Sequence, residues 1–393
     1  MANIIFTSLG SGGDVFPFLC IASRLKVRGH HVTLLSHCYY RNAAEKAGLD
    51  FAALDGPEEY ARFIQDGPLL NTPRGIPEFL RRHSLPKVLS EYQLIRQRCR
   101  LDGTVLITRD LFDTAARIST EKLGIPLIEV FFAPSQITTW KIRAELFSNT
   151  LASEIDRLRA EVGLSPVGDW HSWLGNPNGS IALWPDWFAA PDSTWPAGVV
   201  PVGFIPDSDV ETDDIPDEVQ AILNGGEAPV LITGGTGMYL GAEFYAAGAE
   251  ACRLLSRRGI LVTRYEEQVP KRLPDLVWRF SYLPFGKLMA HVGAVIHHGG
   301  RGTLSCATAA GIPQLVLAMG ADRPDNAARL QRLGVAEYLP PPAWQPSIVA
   351  ERLRTLTDSQ SVRERCRELA RRIAVADPLT STCKIIEEAI HRK

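Results

Sequence analysis

Long apolar runs are missing from this chain. No stretch of about 18 or more apolar residues occurs, so no membrane-spanning helix is expected. The opening MANIIFTSLGSGG runs straight into a strand-like segment without the basic start and extended apolar region of a secretion signal, and none is expected. Cysteine is scarce. Seven residues stand at positions 20, 38, 99, 252, 306, 366 and 383, with no CxxC pair and an odd count, which fits reduced thiols in a cytoplasm. Uncompensated charge is lacking too: 42 Lys and Arg against 44 Asp and Glu leave a formal net charge of −2, which offers no broad attraction for nucleic acid or an anionic bilayer. There is no HExxH, no DxD between apolar residues, no Cys/His spacing suited to a metal, no GxSxG elbow and no evident nucleophilic cysteine.

What is present is an alternation of strands and helices long enough for two domains. The 393 residues are 45% hydrophobic and 22% charged, sufficient for large cores. Ile4–Phe6 read as a strand, Gly10–Gly13 as a Gly-rich turn, a helix is expected to start near Pro17, and Val32–Leu35 form the next strand. Pro17 suits a first-turn position, and Gly29 can take the left-handed conformation that ends a helix. Val105–Thr108, a helix near Thr114–Leu123 and Leu127–Phe131 continue the pattern, whereas Gly56–Arg100 and Ala133–Trp195 read as irregular, pocket-shaping segments. Trp140, Trp170, Trp173, Trp184, Trp187 and Trp195 crowd the second of these, either lining an apolar cavity or filling a domain seam.

The acidic, Pro-flanked stretch Pro206–Glu218 reads as a linker. Beyond it the rhythm repeats, with strand Pro229–Thr233, helix Ala242–Arg258 closed by Gly259, and strands Ile260–Thr263, Ala294–His297 and Gln314–Ala318. A final amphipathic helix, Ser381–His391, follows the Asp377-Pro378 break. The expected fold is α/β with two Rossmann-like parallel-sheet domains: 1–205, then a linker 206–228, then 229–376, with 377–393 crossing back onto the first domain.

Three Gly-rich loops follow expected strands, and each carries candidate chemistry. The strand Ala294–His297 runs through His298, Gly299, Gly300, Arg301, Gly302 and Thr303 into an apolar helix. Free N–H groups at a helix start carry partial positive charge and glycines let a diphosphate approach them, so this run reads as an anion site, with His297 and Thr303 adding side-chain donors. Gly234-Gly235-Thr236-Gly237 could close over the phosphates from the other side. Asp322, in Gly320–Ala327, could accept hydrogen bonds from sugar hydroxyls; Asp325 does so or simply caps the helix running to Leu333.

In the first domain, Gly10-Ser11-Gly12-Gly13-Asp14 would need a glycine at Val15 to complete GxGxxG, and no acidic residue ends the strand over 32–36, so a nicotinamide cofactor is not expected. The loop instead brings a carboxylate, Asp14, to a helix start, where it serves as a general base or as an N-cap. His30, His31 and His37 read as edge or packing residues.

These motifs together resemble glycosyltransferase family 1 enzymes of the GT-B fold, over nearly the whole chain. Among bacterial branches the likeness is to rhamnolipid rhamnosyltransferases, shared in part with sterol and antibiotic-tailoring glycosyltransferases. The resemblance implies two parallel sheets facing a central cleft and Asp14 as base. It also implies a donor-diphosphate signature at His297–Thr303 with Gly235-Thr236 as second phosphate loop, a nucleobase segment at Tyr282-Leu283-Pro284, and a sugar motif carrying Asp322, Arg323 and Asn326. Two positions depart from the pattern: Arg323 replaces a glutamine, and Ser305 stands where many UDP-sugar users have a ribose-binding glutamate. The second departure favours a dTDP-sugar such as dTDP-rhamnose over a UDP-sugar.

The expectation is therefore a cytoplasmic, metal-independent, inverting hexosyltransferase, monomeric or homodimeric, acting on a hydrophobic small-molecule or lipid acceptor. It needs no cofactor, because the nucleotide-sugar is a co-substrate. Peripheral membrane contact stays open, since a lipid acceptor would draw the enzyme to a surface. Two other readings stay open as well, a nucleotide-sugar epimerase on the same fold and a catalytically inactive partner of another transferase.

Overall fold

The computed structural model describes residues 1–100, 103–109, 113–175, 177–205, 213–237 and 240–391. The chain divides into two compact units, Met1–Ile205 with Asp377–Lys393, and Pro206–Ala376. Among the described residues no helix is long and apolar enough to cross a membrane.

Among the described residues the first unit holds seven strands: β1 (Asn3–Ser8), β2 (His31–Ser36), β3 (Asp50–Ala53), β4 (Thr104–Arg109), β5 (Leu127–Phe131), β6 (Gly179–Ala182) and β7 (Val199–Pro201). They lie parallel in the order β3-β2-β1-β4-β5-β6-β7. The order reverses direction between β1 and β4. In open parallel sheets this is where crossovers leave to opposite faces and a crevice opens beyond the strand ends.

The second unit repeats the plan with six: β8 (Val230–Thr233), β9 (Gly259–Val262), β10 (Val277–Phe280), β11 (Ala294–His297), β12 (Gln314–Leu317) and β13 (Ala336–Leu339). All are parallel, in the order β10-β9-β8-β11-β12-β13, with the reversal between β8 and β11. Both faces of this sheet are covered, which is why its strands read as unbroken apolar runs. Val230 and Ile232 pack with Phe244, Tyr245 and Val349 on one side, while Leu231 packs with Ile260, Val295 and Leu288 on the other.

Several boundaries differ from expectation. The first helix spans Gly12–Val27 and does not start near Pro17, which sits at its sixth position. There the missing N–H would have met only Gly13, so the ring is tolerated in the opening turns. The helix expected to reach Arg258 ends at Leu254, because Ser256 turns left-handed at φ 52°; Gly259 opens β9 and caps nothing. The last helix begins at Pro378, three residues before the expected Ser381, with Asp377 accepting from the Thr380 N–H (3.0 Å).

The expected linker 206–228 lies partly outside the described residues. Its later part forms helix Asp217–Asn224, whose Val219 and Ile222 enter the second unit's core beside Leu231 and Ile260.

The largest correction concerns 56–100 and 133–195, which are mostly helical: Pro57–Gln65, Gly75–His83, Val88–Arg98, Trp140–Thr150 and Ala152–Glu161 among others. These helices are only 9–11 residues long, so no sustained period shows in the sequence. Tertiary burial decides them, through Leu80, Val88, Ile118, Phe147 and Ile155 in one cluster. Trp140, Trp170 and Trp173 pack against that cluster, and Trp184 is fully buried with its indole N–H donating to the Ala189 carbonyl (3.1 Å).

The closing helix Pro378–His391 belongs to the first unit. It is latched by Glu387, which accepts from Arg28 Nε (2.7 Å) and Nη2 (2.6 Å) and lies 3.1 Å from His30 Nε2. The hydrogen bonds from Arg28 hold the Glu387 carboxyl down at about 2.

Candidate functional site

In each unit the functional loops leave adjacent strands where the sheet order reverses. In the first unit these are the loop after β1, carrying Asp14, and the end of β4, carrying Arg109. Ser11 is the extended residue ahead of the helix, and Asp14 occupies the third helical position. Asp14 Oδ2 accepts from the Ser11 N–H (2.9 Å) and faces Ser11 Oγ (3.3 Å) and Arg109 Nη1 (3.3 Å). Arg109 in turn donates to the Leu9 carbonyl (3.2 Å).

Asp14 is thus a capping residue whose carboxylate is not fully enclosed. The capping and ion-pair contacts fall on Oδ2, and the side chain stays 18% exposed, so Oδ1 can meet a ligand. Gly10 makes this arrangement possible, since a Cβ there would lie 2.5 Å from Asp14 Oδ2 and 2.7 Å from Arg109 Nη1. Arg109 went unseen in the sequence; the signal for it was a basic residue ending the strand that pairs with β1.

Beneath this loop lie further titratable groups. Thr7 Oγ1 donates to Glu91 Oε1, and Asp113 takes the Thr108 hydroxyl (2.7 Å) and the Ala116 N–H (2.9 Å). Burial pushes Glu91 well above the usual carboxylate range, and the Asp113 charge adds to the push. His37, expected as a packing residue, is fully buried with Nδ1 2.5 Å from Asp55 Oδ2, and its ring lies tilted against that of Phe63, centroids 4.2 Å apart. Burial lowers the basicity of that ring against its hydrogen bond to the Asp55 carboxylate.

In the second unit the loops after β8 and β11 stand side by side. Gly235 is left-handed (φ 79°), its N–H donates to Thr233 Oγ1 (3.1 Å), and Tyr265 holds the Thr236 carbonyl (2.9 Å). After β11, Gly299 is left-handed (φ 91°) and Gly300 precedes helix Arg301–Ala310. The Gly299 N–H donates to His297 Nδ1 (3.1 Å), while its carbonyl accepts from Asn326 Nδ2 (3.0 Å).

His297 is fully buried, and burial pushes it to about 4, opposed by the nearby Gln314 side chain. Its Nε2 has no hydrogen-bond partner among the described residues. Burial also lowers His298 strongly, and the neighbouring Arg323 charge adds to the shift. Arg301, Thr303 and Arg323 are buried, so both guanidinium groups stand within the protein beside the loop. Ser305 is buried with its hydroxyl turned to the Gly302 carbonyl of its own helix (2.9 Å).

The remaining candidate residues divide. Asp322 precedes helix Arg323–Arg332 and its Oδ2 accepts from Asn326 Nδ2 (2.9 Å). The approach to it runs through Gly320 (φ 70°) and Ala321 (φ 51°), and a non-glycine residue held left-handed is backbone strain of the kind found at ligand sites. Asp325 makes no cap hydrogen bond and accepts from Arg329 Nε (2.8 Å) one turn on. Asn326 lies buried beneath the loop, tying the sugar motif to Gly299. Tyr282 is 48% exposed, whereas Leu283 and Pro284 are buried and Leu283 belongs to the core.

Comparison with known proteins matches residues 4–140 to the glycosyltransferase family 28 N-terminal domain. Residues 259–388 match the C-terminal domain of erythromycin biosynthesis protein CIII-like proteins. The chain is 27% identical to the O-mycaminosyltylonolide 6-deoxyallosyltransferase of Streptomyces fradiae, covering 98% of this chain and 97% of that protein. It is 25% identical to the vancomycin aglycone glucosyltransferase of Amycolatopsis orientalis, over 85% and 84% of the two. In three dimensions it is similar to the glycosyltransferase VinC in complex with dTDP, with a TM-score of 0.77, 19% identity and full coverage of both chains.

Proposed function

We propose that the chain, which matches a family 28 glycosyltransferase N-terminal domain and an EryCIII-like C-terminal domain, is a GT-B glycosyltransferase that moves a sugar from a dTDP-sugar to a natural-product hydroxyl. In this reading the transfer inverts the anomeric carbon and needs no metal, and dTDP-rhamnose is a fitting donor. The observation that carries it is the loop after β11: a left-handed Gly299 held from both ends, opening on the amino-terminal end of helix Arg301–Ala310, where backbone N–H groups carry partial positive charge.

The second unit binds the donor. Backbone amides at the helix start meet the diphosphate, and Gly235-Thr236 flank it from the neighbouring strand end. Tyr282 is the exposed ring on which a base can stack, and Asp322, steadied by Asn326, offers its other oxygen to a sugar hydroxyl. Ser305 supplies no carboxylate for a ribose 2′-hydroxyl, which supports a deoxyribose donor. The solved relative carrying dTDP supports the same choice.

The first unit supplies the base. Asp14 Oδ1 accepts the acceptor hydroxyl's proton as the oxygen attacks the anomeric carbon, and the carbon–oxygen bond to the diphosphate breaks with its electron pair leaving on phosphate. Arg109 on Oδ2 keeps the carboxylate aimed.

The test is Asp14→Asn, assayed for dTDP release with and without an acceptor alcohol. Removing a general base costs about 10²–10⁴-fold in turnover, while dTDP affinity stays at the wild-type value. Undiminished transfer by this variant refutes the assignment.

A further inference from the structure

Thr7 and Thr108 stand opposite each other near the ends of β1 and β4, and both are fully buried. Each meets a carboxyl from one of two helices that pack together. Thr7 meets Glu91 of helix Val88–Arg98, while Thr108 donates to Asp113 (2.7 Å), which caps helix Thr114–Leu123 through the Ala116 N–H (2.9 Å). The Thr7 hydroxyl also reaches Asp113. It has one hydrogen and cannot donate to two carboxylates at once, so one of its two contacts needs a hydrogen carried by a carboxyl. The two cations whose charge reaches the pair are engaged elsewhere. Lys87 Nζ donates to Glu59 Oε1 (2.9 Å), and Arg109 Nη1 faces Asp14 Oδ2 (3.3 Å) and the Leu9 carbonyl (3.2 Å). Burial raises both carboxyls, and the Asp113 charge adds to the rise of Glu91.

We propose that Glu91 and Asp113 hold one proton between them across the Thr7 hydroxyl, and that both are positioning residues for Asp14, acting through Arg109. This rests on the glycosyltransferase reading above, in which Asp14 is the base. Arg109 directly follows Thr108; its charge acts on Asp113 while its guanidinium contacts Asp14. With one proton on the pair, a single negative charge acts on Arg109 from beneath the loop, and the contact with Asp14 holds. When that proton leaves, a second buried charge competes for the guanidinium. Asp14 Oδ2 then loses the contact that helps fix the aim of Oδ1.

Two measurements on the full chain test it. Infrared difference spectra at neutral pH, wild type minus Glu91→Gln and without substrate, are expected to show the carbonyl band of a protonated carboxyl. Single-turnover transfer to an aliphatic alcohol, which does not itself ionise, is expected to fall on the alkaline side of the wild-type pH profile. The fall is up to about 100-fold, the cost of a misaimed reacting group. Glu91→Gln limits the pair to one charge, and its amide can donate to Thr7 as a carboxyl O–H does, so its profile is expected to lack that limb. Asp113→Asn also limits the pair to one charge, still caps its helix, and is expected to lack the limb as well.

A difference spectrum without the protonated-carboxyl band overturns the shared proton and the proposal with it. Wild-type and variant pH profiles of the same shape overturn the positioning role, because side chains that only support the fold leave that shape alone. If the wild type moves no sugar from a dTDP or UDP donor to any acceptor, the transferase reading falls and takes the positioning role with it. The infrared spectra, recorded without substrate, still decide the shared proton in that case.

Discussion

Replacing Gly10 with alanine puts a methyl group 2.5 Å from Asp14 Oδ2 and Cβ and 2.7 Å from Arg109 Nη1. Non-bonded atoms settle at roughly 3.5–4.0 Å, so the carboxylate and the guanidinium must each retreat by about 1 Å. Retreat of Asp14 breaks its bond from the Ser11 N–H or its approach to Arg109, which are what fix the aim of Oδ1. A misplacement of about 1 Å at a reacting group costs on the order of 100-fold in rate, and overpacking costs about 1–3 kcal/mol of stability.

Gly10→Ala is therefore expected to lower kcat about 100-fold, to lower Tm by a few degrees, and to leave dTDP affinity at the wild-type value, because the donor loops lie in the other unit. Single-turnover transfer measured beside calorimetric dTDP titration separates the two effects. A kcat within about twofold of wild type would refute the claim that this glycine exists to seat the carboxylate.

Two further outcomes follow from buried polar groups. Glu91 has its carboxyl pKa raised on folding, so the unfolded chain ionises first as pH rises, and the native state loses stability from about the unfolded value of 4.5 upward. Glu91→Gln, which keeps an acceptor for Thr7, is expected to flatten that decline; parallel pH–stability curves from urea unfolding would contradict it. Asn326→Leu leaves the Gly299 carbonyl and Asp322 Oδ2 without their shared donor, at about 1–3 kcal/mol. Its unfolding midpoint should fall by roughly 2–4 °C per kcal/mol, and its dTDP affinity should fall with it; an unchanged affinity would show that the loop holds its shape alone.

The central strands were readable because burial on both faces leaves unbroken apolar runs such as VLIT and AVIH, and each is followed by glycine where the chain must turn tightly. The strand-end loops were readable for the same reason. The helices between β3 and β4 and between β5 and β6 were not, since none exceeds 11 residues and so none sustains an apolar period long enough to declare itself. Nor could spacing tell His297 from His298. Neighbours in a strand point to opposite faces, and only the positions of Gly235, Gly299 and Asn326, distant in sequence, decide which ring is locked away. Arg109 escaped because its partner is 95 positions away and meets it only through the pairing of β1 with β4.

The chain leaves the first unit after residue 205 and re-enters it at 377, so the second unit is an insertion between two covalent crossings. Exchanging donor specificity with a relative by a single splice would import a foreign final helix along with the foreign sugar site. That helix would have to present a carboxylate to Arg28 and His30 and fill the seat of Leu379, Cys383 and Ile386. A chimera cut at both crossings keeps the native helix on its native partners, and a nick in either crossing alone leaves the halves joined.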